Sequence, residues 1–65
     1  MKVYVVMMCR KSLLGGCRWE VEEYIEDIYL DKVCADSVAK KLQNDFGVSY
    51  YDYEVYYYIK EWEVK

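Results

Sequence analysis

The chain opens on a continuous apolar run, and apolar positions then recur with period two in its second segment and over its last third. Between them lies one block with the period of a helix. From Lys2 to Arg10 both parities are apolar: Val3, Val5 and Met7 on one, Tyr4, Val6 and Met8 on the other. A short β-branched run without alternation is what a strand covered on both faces looks like, so it predicts the middle of a sheet. Gly15-Gly16 then suits a tight hairpin turn, with Leu13 and Leu14 expected at its tip. Arg18 to Leu30 is expected to return antiparallel. Its phase is split: Trp19 and Val21 share one parity, while Tyr24, Ile28 and Leu30 share the other. A bulge or break at Glu22-Glu23 would reconcile the two.

Asp31 has the side chain of an N-cap, able to accept from the free N–H groups of a first helical turn. Cys34, Ala35, Val38, Ala39, Leu42 and Phe46 follow at spacings of one, three and four, which make one apolar face of a helix over Lys32 to Asp45. Lys40 and Lys41 fall in its second half, where the helix dipole favours cations. Gly47 is expected at the C′ position in the left-handed conformation.

The chain closes on a strand dense in tyrosine. Tyr51, Tyr53, Val55, Tyr57 and Ile59 alternate on one face, and Trp62 and Val64 then take the other parity. A bulge near Lys60 would keep Ile59 and Trp62 both against the helix. The alternative inner face is Tyr56, Tyr58, Trp62 and Val64. The first is favoured because it places Val55 and Ile59 inside.

These elements predict an α+β fold: a three-stranded sheet of order β-β-α-β, with one amphipathic helix on one face and a single domain over residues 1–65. The first strand should be central, and a crossover through the helix would set the last strand beside it in parallel. The opposite face is left bare, with Tyr4, Val6, Met8 and several tyrosines on it, which is too apolar for a lone monomer.

Composition narrows the function classes. A chain of this length buries only about 60% of its unfolded surface, and one core of this size supplies roughly 3–5 kcal/mol. An apolar share of 55% and an aromatic share of 18% exclude disorder. A net charge of −3 with pI near 4.8 argues against phosphate-driven nucleic-acid binding. Three cysteines, Cys9, Cys17 and Cys34, with neither a signal-peptide layout nor a spanning helix, fit free thiols in a reducing cytoplasm, with no membrane role. A Cys9–Cys17 bridge across the hairpin stays open.

Several features together give a resemblance. They are Lys2-Val3-Tyr4-Val5-Val6, the junction Ile28-Tyr29-Leu30-Asp31-Lys32 leading to Ala35 and Ala39, and the ending Ile59-Lys60-Glu61-Trp62-Glu63-Val64. In this layout the chain resembles small uncharacterised proteins of phages and prophages. The resemblance spans most of the chain and carries no catalytic residue. It implies a protein working in the host cell cytoplasm.

Candidate chemistry is sparse. Histidine is absent, which removes triads and histidine metal sites, and no serine lies in a nucleophile elbow. Carboxylates such as Glu22 and Glu26 read as solvated, and Cys34 reads as a core thiol despite its place in the first helical turn. No Cys-x-x-Cys spacing supports zinc, so no metal or cofactor is expected. What remains is nine tyrosines, more than one small core can hide. Tyr and Trp bring rigid contact area with a polar tip and are enriched at binding surfaces.

The reading is therefore a non-enzymatic interaction module that self-associates, most simply as a dimer, and inhibits a host factor such as an antiviral defence component by occupying its surface. Interface residues are Tyr56, Tyr58, Trp62, Trp19 and Tyr4. Glu22, Glu23, Glu26 and Asp27 would steer a basic partner, against a bland alternative in which the six acids from Glu20 to Asp31 only guard an edge strand. The second reading is an oligomer that sequesters a nucleotide between tyrosines, which requires Lys2, Arg10, Arg18 or Lys60 to converge on phosphate.

Overall fold

A computed structural model of the chain describes residues 1–14 and 18–65. Two long strands, β1 (Lys2–Leu14) and β2 (Arg18–Tyr29), are followed by helix α1 (Lys32–Phe46), a two-residue strand β3 (Val48–Ser49) and β4 (Tyr53–Glu63). The sheet has four strands in the order β2-β1-β4-β3, not three, and every pairing is antiparallel. β1 is central, as its doubly apolar sequence requires.

The parallel placement expected for the last strand is overturned by the length of the helix. β2 ends at Tyr29 opposite Tyr4, near the start of β1. Fifteen helical residues rise about 22 Å, close to the roughly 26 Å that separates Tyr4 from Ser12 along a strand. The helix thus returns the chain to the far end of β1, and β4 starts there, with Tyr53 opposite Ser12. The crossover rule governs strands that run parallel. In this sheet those are β2 and β4, with β1 between them.

Asp31 caps the helix as its sequence predicts, its side chain accepting from the Val33 N–H at 2.9 Å. The two small residues Ala35 and Ala39 are buried and let the helix lie close on Val6, with Tyr4, Tyr29, Val38, Leu42 and Ile59 around them. Cys34 and Phe46 lie outside this contact and are exposed, contrary to the expected six-residue stripe. Their positions at the two ends of the helix carry them past the sheet. Gly47 is extended (φ −66°, ψ 135°), not left-handed, because the chain passes directly into β3.

Side-chain phase also departs from the sequence reading. Residues opposite one another in an antiparallel pair share a face, so Val6 with Ile59 defines the helix side and Val5 with Lys60 the other. Tyr4, Val6 and Met8 therefore sit under the helix and not on the bare face where they were expected, while Val3, Val5, Met7 and Cys9 sit on the helix-free side. Both parities of β1 are apolar, so β1 alone could not decide its own orientation. The β1–β4 register runs unbroken from Lys2 opposite Glu63 to Ser12 opposite Tyr53, without a bulge near Lys60. Trp62, opposite Val3, consequently faces away from the helix. Val55 and Ile59 are on the helix side as expected. The bulge in β2 is at Glu26, between the Val6–Asp27 and Met7–Ile25 pairs, and not at Glu22-Glu23. Leu13 and Leu14 belong to β1 and not to a loop tip. The Gly15-Gly16 turn and Cys17 fall outside the described residues, so the proposed Cys9–Cys17 bridge does too; Cys9 is buried and has no disulfide partner among the described residues.

Candidate functional site: the helix-free face of the sheet

The Cα atoms span 43 × 26 × 11 Å, a slab with one sheet and one helix layer. Among the described residues, the face away from the helix has no second layer. Reading the registers across it, β2 contributes Trp19, Val21, Glu23, Ile25 and Ile28, β1 contributes Val3 to Leu13 at alternate positions, and β4 contributes Glu54, Tyr56, Tyr58, Lys60 and Trp62. The bulge at Glu26 puts Ile25 and Ile28, three apart in sequence, on this same face.

The centre of the face is closed by its own side chains. Val5 and Cys9 are fully buried, and Val3 and Met7 nearly so, with Tyr58 packed on the cluster. The Tyr58 hydroxyl donates to Glu23 Oε1 at 2.6 Å, reaching diagonally across β1 to β2. Tyr56 lies beside it, ring centroids 5.8 Å apart. Lys11 Nζ is 5.5 Å from the Tyr56 centroid and Lys60 Nζ 5.9 Å from that of Tyr58, both within cation–π range. The surplus tyrosines are thus fastened down over the central strand.

The margins are not closed. Trp19 is 46% exposed, Val21 and Ile25 53%, Ile28 51% and Trp62 44%. Together these five leave roughly 500 Å² of apolar surface on one face, at the upper end of what monomers carry.

Of the residues singled out by sequence, Tyr56, Tyr58, Trp62, Trp19 and Glu23 meet on this face. Tyr4 does not, since it packs under the helix. Glu22 and Asp27 lie on the helix side. Glu22 accepts from Arg10 at 2.7 Å and from the Tyr24 hydroxyl, and these two bonds, Tyr24 first, hold its carboxyl below the usual range. Asp27 accepts from the Tyr29 hydroxyl at 3.0 Å and pushes that hydroxyl's pKa up. Glu26 is the extra residue of the bulge, and its charge helps raise the Tyr57 hydroxyl, which burial raises more. Three of the four expected steering acids are therefore held by hydroxyls of their own sheet. A bulge at Glu22-Glu23 would also set Val21 and Ile28 on the face of Trp19 but would turn Ile25 away; the bulge at Glu26 brings Ile25 there too. The recoverable signal was the three-residue spacing of the two isoleucines.

Other chemistry is not assembled. Lys2 Nζ is 3.6 Å from Glu61, Arg10 is paired with Glu22, and Lys60 stands on the opposite face over Tyr58, so these cations do not converge on one phosphate position. Cys34 is exposed, and the nearby Asp31 carboxylate pushes its thiol pKa up, opposite to the activation a nucleophile needs. Among the described residues no three His, Cys, Asp or Glu side chains gather as a metal site, and no helix is long and apolar enough to cross a membrane.

The Glu23 bond, with burial, pushes the Tyr58 hydroxyl up to about 12. A raised pKa means the bond stabilises the fold fully below the ordinary value of 10.0 and is lost as pH climbs towards about 12. Alkaline titration followed by tyrosinate absorbance should show a late-ionising group that Tyr58→Phe removes. Identical titration of both proteins would contradict the assignment.

No protein-family model matches the chain, and no curated protein or solved structure matches it.

Proposed function

We propose that the protein is a non-enzymatic interaction module that works by laying the helix-free face of its sheet on another protein surface. The observation that carries this is the set Trp19, Val21, Ile25, Ile28 and Trp62, which come from two different strands and stand half-exposed on a single face. Large apolar groups around a packed centre have the composition of an interface core, with Glu23, Glu54, Lys11 and Lys60 as polar supplements. The resemblance to phage proteins supports a host factor in the cytoplasm, such as an antiviral defence component, as the target to be occupied. The acids of β2 serve mainly its edge: β2 is the outermost strand, and like charges along it deter pairing with a stray strand.

The test uses the full chain as bait in host lysate beside two variants, Trp62→Glu on this face and Val33→Glu on the exposed start of the helix. A partner retained by wild type and Val33→Glu, and lost with Trp62→Glu, is the expected result. Equal capture by all three folded baits, or none by any, would count against the reading.

A further inference from the structure

The interaction-face reading leaves its occupant in the free protein unnamed, and the following step rests on that reading. We infer that a second copy of this chain covers the helix-free face, giving a two-fold dimer in which two sheets stack face to face. Beside the edge of β4 beyond its two pairs with β3, two routes to self-association are open, and charge separates them. The outer edge of β2 carries Glu20, Glu22, Glu23, Glu26 and Asp27, with no base between Trp19 and Tyr29. Pairing β2 with its own copy would bring ten carboxylates together, which disfavours the edge route. The helix-free face instead holds two cations, Lys11 and Lys60, and two anions, Glu23 and Glu54, among the residues paired across it. Its charge sums to zero in a chain of net charge −3, so two copies of the face meet without net repulsion.

Extent points the same way. The five half-exposed side chains supply roughly 500 Å². The flanking Leu13, Tyr56 and Tyr58 bring the face towards the roughly 800 Å² per partner of a standard interface. Stacked sheets lie about 10 Å apart with side chains interleaved. Here Tyr58 and its neighbour Tyr56 lie over the buried row of β1, so the face offers a filled centre flanked by Trp19, Ile25 and Ile28 of β2 and Trp62 of β4. A two-fold contact uses the same patch on both subunits. Other exposed apolar residues, such as Leu30, Val33, Phe46 and Tyr50, lie on the helix and its connections and not on this sheet face.

The test is sedimentation equilibrium of the chain at about 1–100 µM, where an interface of this size is populated. Wild type should be dimeric. Ile25→Glu on β2 and Trp62→Glu on β4 should each weaken the dimer at least about 30-fold, while Val33→Glu leaves it intact. Circular dichroism identifies which variants are folded, and the two face variants lie on different strands so that one can stand in for the other. A wild-type monomer at the highest concentration overturns the inference, as does a dimer that survives in both folded face variants or dissolves in Val33→Glu. If wild type is monomeric yet captures a partner that Trp62→Glu loses, only the second copy is wrong. If it is monomeric and captures nothing, the interaction face falls with it.

Discussion

Ala35→Leu should lower stability by about 1–3 kcal/mol, a large share of the roughly 3–5 kcal/mol that a domain of this size has. Ala35 is fully buried where the helix meets Val6, and Ala39 a turn later is nearly so. A leucine there would have to displace Val6, Tyr4 or Ile59, or lift the helix. Because Val6 is itself fully buried at the centre of β1, it has nowhere to go. At about 4–8 °C per kcal/mol for a domain this small, thermal unfolding by circular dichroism should show a fall of about 4–24 °C. Protein concentration must be held fixed, since association shifts the midpoint. Val33→Leu, on the exposed side of the same helix, should leave the midpoint within a degree or two. An unchanged midpoint for Ala35→Leu would mean the helix does not rest on the sheet through this contact.

The second large effect has a sign that backbone preference alone gets wrong. Gly47 has φ −66° and ψ 135°, a conformation alanine adopts freely. Restricting the unfolded chain would therefore make Gly47→Ala a gain of about 0.4–1 kcal/mol. A Cβ at this position, however, would overlap both the carbonyl oxygen and the side-chain amide of Gln43. That carbonyl accepts the Gly47 N–H at 3.0 Å, and the Gln43 Oε1 accepts the Tyr57 N–H at 2.8 Å, joining the helix end to the outer edge of β4. We expect a loss of about 1–3 kcal/mol in urea unfolding. In a Gln43→Ala background the loss should shrink without vanishing, because the side-chain overlap goes and the carbonyl overlap stays. A stabilised Gly47→Ala would show that the close approach is relieved at no cost.

The elements were legible in the sequence because each has a local cause. Alternation marked the strands, Asp31 marked the helix start, and the spacing of Ala35, Ala39 and Leu42 marked the buried stripe. What could not be read was the pairing of parities across the sheet. β1 is apolar on both sides, so only its pairing, with Ile59 opposite Val6, sets which side meets the helix. That ambiguity misplaced Tyr4, and the bulge expected near Lys60 misplaced Trp62. The direction of β4 was lost for a similar reason: it depends on how far the helix carries the chain relative to β1, a length comparison that periodicity does not encode. Tyr56 and Tyr58 do point away from the helix, but they are held over the central strand. The open apolar positions are mostly the aliphatic and tryptophan residues at the flanks.

The position of β1 at the centre of the sheet also governs the order in which the fold can be made. Its partner β2 follows closely, while its other partner ends at Glu63, opposite Lys2. Closing that ladder brings together residues about sixty positions apart, and such distant pairings slow folding. During synthesis the hairpin of β1 and β2 stands for a time with the inner edge of β1 unpaired. It presents Val3, Val5 and Val6 to any strand that meets it, until residues 53–63 arrive to take that place.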